Sequence, residues 1–345
     1  MMSELDYPQG APPRPGAAVR VAPGVFWLRM PLPFALDHIN LWALEDEDGF
    51  TLIDTGIDLP AVRDAWEQAA ETLFAARPPR RLICTHFHPD HMGLAGWLAE
   101  RWGIALWATL GEWAFGRLLA LEDDRQFLAH ALPFYRRAGF NAAQLRLCAD
   151  RGNAYRRRVA PIPPQIRRLQ DGDAISIGGR CWRVIAGMGH SPEHAALYCA
   201  ELAVVIAGDQ VLPKISPNVS VWPQEPDADP LALFLRSLDR FRPLPADTLV
   251  LPSHHDPFIG LHSRLDQLAA HHHQRLAETL EACRAASTAL DVLQRLFRRP
   301  LDDHQLFFAI GESLAHLHHL ERRGDLERAA GGNGATVFRR ARASV

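Results

Sequence analysis

Lysine is almost missing from this chain. Of 37 lysines and arginines only Lys214 is a lysine, a bias that reads as a coding habit of the source rather than a function. Cysteine is sparse as well. Cys84, Cys148, Cys181, Cys199 and Cys283 are odd in number and none stands in a CxxC pair, which excludes a disulfide scaffold. No apolar run approaches the roughly 20 residues that span a bilayer, so no membrane partner is expected. The first sixteen residues, ending in GAPPRPG, lack the apolar core of a signal peptide. Residues 1–18 are therefore expected to form a disordered tail on a soluble, cytoplasmic protein. The net charge of -3 gives no global reason to expect nucleic acid as a partner, so any basic surface must be local.

What the chain does have is length and an ordinary globular balance. Its 345 residues are 48% hydrophobic and 22% charged, enough for one large domain with an appendage or for two. Alternating stretches predict strands at 25–30, 39–44 and 50–53, set out as a meander. Residues 59–76 have helical spacing, 81–84 read as a strand, 93–101 as a helix and 104–108 as a strand. Strands are predicted again at 174–177, 182–185, 196–199, 203–206 and 248–251, with a helix at 231–241. Strands alternating with helices point to a layered α/β core rather than a bundle.

Between these regions, residues 110–168 carry eleven arginines against five acids and read as a mostly helical insertion. Arg156 and Arg157 stand there beside Arg158. They are candidates for contacting an anionic substrate, against the plainer reading of a solvated helical surface. Beyond Gly260 a long helix, two further helices at 290–297 and 306–322, and a hairpin around AGGNG give a small winged-helix-like order. Modules of this kind bind nucleic acid or serve in packing and dimerisation, which makes a homodimer a candidate assembly. The expected division is a main domain over 19–262, the insertion within it, and a C-terminal module over 263–345.

One stretch organises the rest. Thr85 to Gly93 reads THFHPDHMG, and within six residues it offers His86, His88, Asp90 and His91, all able to ligate a divalent metal. A second histidine run, His271 to His273, sits on a polar helix and reads as surface. THFHPDHMG instead follows the apolar strand at 81–84, and the loop after a strand is where sites are built. Further candidates end later strands: His190 in MGHSPEH, Asp209 in AGDQV and His254 in PSHH. Seven ligands exceed one tetrahedral ion and suit two metals bridged by a carboxylate.

HFHPDH with a later GH, GDQ and PSH resembles the metallo-β-lactamase-fold hydrolases, in order, from about Gly24 to Arg275. The resemblance implies an αββα sandwich with the metals at one edge of two facing sheets. It implies His86, His88 and His190 on the first metal, Asp90, His91 and His254 on the second, and Asp209 as the bridge. Asp54, in LIDTG, would orient the site from behind. Two departures stand out. His255 occupies a position where relatives tend to have glycine, which leaves the last ligand open between His254 and His255, with the register favouring His254. Glu193 occupies another, and is expected to alter access near His190.

Two divalent ions, zinc first with iron or manganese as alternatives, would supply a hydroxide at neutral pH that attacks a substrate carbonyl. Asp90 and Asp209 would be the catalytic carboxylates. The expected activity is hydrolysis of a thioester or ester, including a lactone, of a small anionic substrate, as in the glyoxalase II-like branch. The alternatives are a single-strand endoribonuclease-like phosphodiesterase, for which nucleic acid would be the partner, and a regulatory protein without catalysis. His262, just past His254, is a weaker candidate for touching substrate.

Overall fold

The computed structural model describes residues 5–297 and 300–342. It opens with β1 (Ala18–Ala22), β2 (Val25–Pro31), β3 (His38–Asp46) and β4 (Gly49–Ile53). Then come α1 (Pro60–Glu71), β5 (Pro79–Ile83), α2 (Pro89–Met92), α3 (Ala95–Trp102) and β6 (Leu106–Thr109). Three helices follow, α4 (Leu110–Leu121), α5 (Asp124–Arg137) and α6 (Ala142–Arg151). Strands resume with β7 (Arg167–Leu169), β8 (Ala174–Ile177), β9 (Arg180–Gly187), β10 (His194–Cys199) and β11 (Val204–Gly208). The chain continues through α7 (Pro230–Leu238), β12 (Leu249–Pro252), α8 (Leu261–Ala282), α9 (Ala289–Leu296) and α10 (Asp303–Arg322), and closes on β13 (Leu326–Ala330) and β14 (Thr336–Arg340).

Two large sheets form the first part of the fold. One runs β1-β2-β3-β4-β5-β6-β7 and the other β12-β11-β10-β9-β8. Side chains along β3 alternate between two apolar layers, as a pleated strand requires. Leu41 and Ala43 pack with Val62, Ala65, Trp66 and Ala69 of α1, while Trp42 and Leu44 pack with Trp182, Val184, Leu197 and Ile206 of the other sheet. The first sheet is thus covered by helix on one face and by sheet on the other, which is why its strands read as nearly unbroken apolar runs.

The strand pairing also sets where loops gather. β4, β5 and β6 run parallel, and so do β11 and β12. Parallel neighbours bring their C-terminal ends, and hence their following loops, to one edge, where α/β folds place ligands.

Two expectations are corrected. Arg167 and Arg168, read as part of a helical insertion, lie on β7, paired with Trp107 and Ala108 of β6. Both arginines are exposed while Leu169 is buried, so the strand supplies one inward residue and its charges stay in water. The leading segment is not disordered from Leu5 onward: Asp6 and Ile259 exchange main-chain hydrogen bonds of 3.1 and 2.8 Å. Residues 1–4 of that expectation lie outside the described residues.

By contacts among its residues the chain divides into two compact units. One compact unit takes in the chain up to Leu121, Tyr155–Pro217 and Asp239–Leu265, and the other takes Glu122–Ala154, Asn218–Leu238 and everything from Asp266. The insertion is therefore split: α4 stays with the sheets, whereas α5 and α6 join the C-terminal helices. Ring contacts inside the second unit give the reason, with Tyr135 5.1 Å and Phe140 5.9 Å from Phe307. That unit contains two helices, α9 and α10, followed by the β13–β14 hairpin. Among the described residues no helix is long and apolar enough to cross a membrane.

Candidate metal centre

Each residue singled out in the strand-end motifs lies just beyond a strand of the first unit. Asp54 follows β4, His86 to His91 follow β5, and His190 follows β9. Asp209 follows β11, and His254 follows β12. Two groups of ligand atoms form there: His86, His88, His190 and Asp209 in one, and Asp90, His91 and His254 in the other. All the histidines among them are buried.

Asp209 faces both groups. Its Oδ2 lies 3.5 Å from His190 Nε2, and its Oδ1 lies 3.6 Å from His91 Nε2 and 3.5 Å from His254 Nε2. Asp90 Oδ2 completes the second group, 3.7 Å from His91 Nε2 and 3.5 Å from His254 Nε2.

Hydrogen bonds from behind decide which ring nitrogen points inward. His91 Nδ1 donates to Asp54 Oδ2 at 2.8 Å, and His254 Nδ1 donates to the His38 carbonyl at 2.8 Å. With Nδ1 held from behind, each ring turns its Nε2 toward Asp90 and Asp209. Asp54 is itself fixed, accepting the Thr85 N–H at 2.7 Å and the Thr85 hydroxyl at 2.8 Å. It holds this position with φ of 65°, in the left-handed region that non-glycine residues seldom occupy.

The charges follow from this crowding. Burial pushes the Asp90 carboxyl up, but His91 and His254 pull it further down, to about 2. Burial likewise pushes Asp209 up, but His254 and His91 outweigh it and leave the carboxyl well below its ordinary range. His254 shows the reciprocal effect: burial lowers it, and Asp209 with Asp90 raises it to about 10. His86 and His88 go the other way, held neutral by burial and by neighbouring histidines. One half of the centre thus draws positive charge to its carboxylates, and the other presents neutral nitrogens.

These residues fit divalent ions. His91 Nε2 and Asp209 Oδ1 are buried and make no hydrogen bond among the described residues. Two atoms each about 2.1 Å from one tetrahedral ion are about 3.4 Å apart. The spacings of 3.5 to 3.7 Å around Asp209 and Asp90 match that and exceed a hydrogen bond. In the other group, His190 Nε2 stands 3.2 Å from His86 Nε2, a distance at which two lone pairs repel unless a proton or cation lies with them.

Residues 35–254 match the Metallo-beta-lactamase superfamily, and residues 276–341 match the Metallo-beta-lactamase-like, C-terminal domain. The chain belongs to the metallo-beta-lactamase superfamily. Its α/β fold is the sandwich of that superfamily, as the motif order implied, and its coarse activity is that of a metallo-hydrolase. A beta-lactamase domain protein from Burkholderia ambifaria is 47% identical with a TM-score of 0.91, covering 98% of each chain. A metallo-beta-lactamase family protein from Thermus thermophilus is 32% identical with a TM-score of 0.79, covering 93% of this chain and all of that one, 100%. The probable metallo-hydrolase YqjP of Bacillus subtilis is 25% identical over 308 residues, 86% of this chain and 92% of its own length. Human acyl-coenzyme A thioesterase MBLAC2 is 25% identical over 201 residues, and the matched part is 54% of this chain and 63% of that protein.

Within this superfamily member, both sequence departures have a local explanation. His255 has φ of 65°, which accounts for a glycine preference at its position. Its ring is not in either ligand group, whereas His254 is. Glu193 does not open or close access through a free carboxylate: its Oε2 accepts the Gly111 N–H at 2.9 Å, at the start of α4. The substrate candidates are not drawn into the ligand groups. His262 Nε2 donates to the Leu244 carbonyl at 2.8 Å, and Arg156 and Arg157 lie exposed on a short 3-10 turn.

Two residues that shape the site escaped sequence reasoning. Buried Asn40 accepts from Trp27 Nε1 and donates through Nδ2 to the carbonyls of Pro252 and His255, at 2.9 and 2.6 Å, clamping the turn that carries His254. Glu112, on α4, accepts from the Phe87 N–H, the Ser191 hydroxyl and the Glu193 N–H. The only signal available was a lone polar side chain inside an apolar segment, INLW for the first and LGEWAF for the second.

Proposed function

We propose that this protein is a dinuclear metal-dependent thioesterase acting on acyl-coenzyme A or a similar anionic thioester. The observation that carries the dinuclear reading is Asp209, whose two oxygens face different ligand groups. His86, His88 and His190 would hold one ion, Asp90, His91 and His254 the other, and Asp209 would bridge them. Two such ions, zinc first and iron or manganese otherwise, supply an activated water at neutral pH and an electrophilic contact for a carbonyl oxygen.

The chain's own residues do the rest. Asp54 and the His38 carbonyl hold the His91 and His254 rings with Nε2 inward. Asp209 keeps the two groups at a fixed separation. Asp90, whose side chain is 20% exposed against 9% for Asp209, is the carboxylate that reaches the open side. It is therefore the group placed to orient the attacking water. No serine or cysteine nucleophile is needed: Ser191 is committed to Glu112, and Cys84 is buried with its thiol pushed well above its ordinary range by burial and Asp54.

The thioester preference draws support from the human relative's name, acyl-coenzyme A thioesterase, over the 54% of this chain that matches it. The test is a substrate panel of acyl-coenzyme A esters, glutathione thioesters, lactones and labelled single-stranded RNA. Hydrolysis of the coenzyme A thioesters above the others is expected; cleavage of the RNA alone would refute the thioesterase reading and favour the phosphodiesterase one.

A further inference from the structure

The two loops that present His86, His88 and His190 leave different strands, β5 and β9, of different sheets. A main-chain bond from the Ala195 N–H to the Thr85 carbonyl, 2.8 Å, joins their flanks, and a side chain ties the histidine-bearing parts. Glu112 is fully buried on the first turn of α4, and it touches both. Its Oε2 accepts the Phe87 N–H at 2.9 Å. Its Oε1 accepts the Ser191 hydroxyl at 2.6 Å and the Glu193 N–H at 2.5 Å. Phe87 lies between the two histidines of one loop, and Ser191 follows the histidine of the other.

The same residue is gripped at its other end. The Tyr155 hydroxyl donates to the Phe87 carbonyl at 2.7 Å, and the Phe87 ring packs against Phe115 of α4, centroids 4.8 Å apart. Phe87 itself is fully buried. A carboxylate suits this place because it is acceptor-only and all three of its partners are donors. None of the bonds of Glu112 reaches Asp90, His91 or His254; His91 is supported by Asp54 and His254 by the His38 carbonyl.

We propose that Glu112 is a positioning residue that fastens the His86–His88 loop to the His190 loop, with Tyr155 as its auxiliary. The three-histidine half of the centre depends on it and the Asp90–His91–His254 half does not. This rests on the reading that these residues hold metal, and it deepens that reading by assigning the three-histidine half a support that the other half does not share.

Zinc binding to the purified protein tests it, with stoichiometry from elemental analysis and affinities from competition with a chromophoric chelator. Glu112→Gln keeps the shape but turns an NH2 group toward a donor. It is expected to bind one equivalent as the unaltered protein does and the other about 10- to 100-fold more weakly, the scale for groups that orient ligands. The cobalt-loaded protein should lose the same absorption features as His190→Ala, and keep those lost in His254→Ala. Tyr155→Phe and Ser191→Ala should weaken the same equivalent by less. If the Glu112 variant fails to fold, those two decide the matter alone, since each removes one bond to the tie or to the peptide it holds. Unchanged affinity for both ions, or equal loss of both, would overturn the inference while leaving the metal centre standing. An unaltered protein that binds no zinc would overturn the metal reading and this one together.

Discussion

Among the described residues histidine crowds in two places, and one of them has the makings of a metal centre. In the first unit, buried histidines converge with Asp90 and Asp209, and the inward His91 Nε2 makes no hydrogen bond among the described residues. In the second unit, His272 of α8 is fully buried, with its Nδ1 3.4 Å from His316 Nε2 of α10. His316 Nδ1 donates to the Glu312 carbonyl at 2.8 Å, so that ring is already committed on both sides. Among the described residues no third ligand joins the pair. Density of histidine is therefore not the distinguishing feature. Carboxylates that share the space, and partners that turn each ring inward, are.

The largest test of that difference is removal of the shared carboxylate. Asp209→Ala is expected to lower kcat/KM by about a thousandfold, the order of several kcal/mol of lost charge stabilisation, and to reduce bound metal in the same preparation. Steady-state kinetics with the best thioester of the panel checks it. An unimpaired variant would mean that the two groups do not act as one centre.

A smaller effect separates neighbours on one turn. His254→Ala should cost about a hundredfold in activity together with one metal equivalent. His255→Gly should stay within about twofold, because glycine accepts the positive φ without strain. Equal losses in both would erase the distinction drawn from their geometry.

The smallest effect belongs to the second histidine pair and is one of stability. Burial pushes His272 down to about 2 and His316 down to about 4. Both are below the ordinary value of about 6.5, so the unfolded chain binds these protons more readily than the fold does. Their contribution to stability is present above pH 6.5 and falls away as the pH drops below it toward 4 and then 2. Thermal melts between pH 7 and 4 should show this decline, and His272→Leu should flatten it while leaving metal content and activity at pH 7 unchanged. A loss of metal in that variant would make the second cluster a ligand site after all.

How far the sequence could be read follows from how local each device is. HFHPDH is legible because its residue types are fixed by ligand chemistry within one loop. His190, Asp209 and His254 were legible because each ends an apolar strand that periodicity reveals. Glu112 and Asn40 were not, since their meaning lies in partners such as Phe87, Ser191 and Pro252, which no spacing brings near them. β7 was missed because a three-residue strand with two exposed arginines has no periodic signal. The split of the helical insertion depended on Tyr135 and Phe140 meeting Phe307, a contact visible only in three dimensions. The left-handed backbone at His255 explains a departure that the letters could flag but not interpret.

The central claim is that strand ends from both sheets assemble one two-ion centre around Asp209. Elemental analysis of the purified protein, before and after incubation with zinc, iron and manganese salts, addresses it most directly. Close to two equivalents per chain is the expected result. Absence of metal in the purified protein, with none taken up on addition, would contradict it.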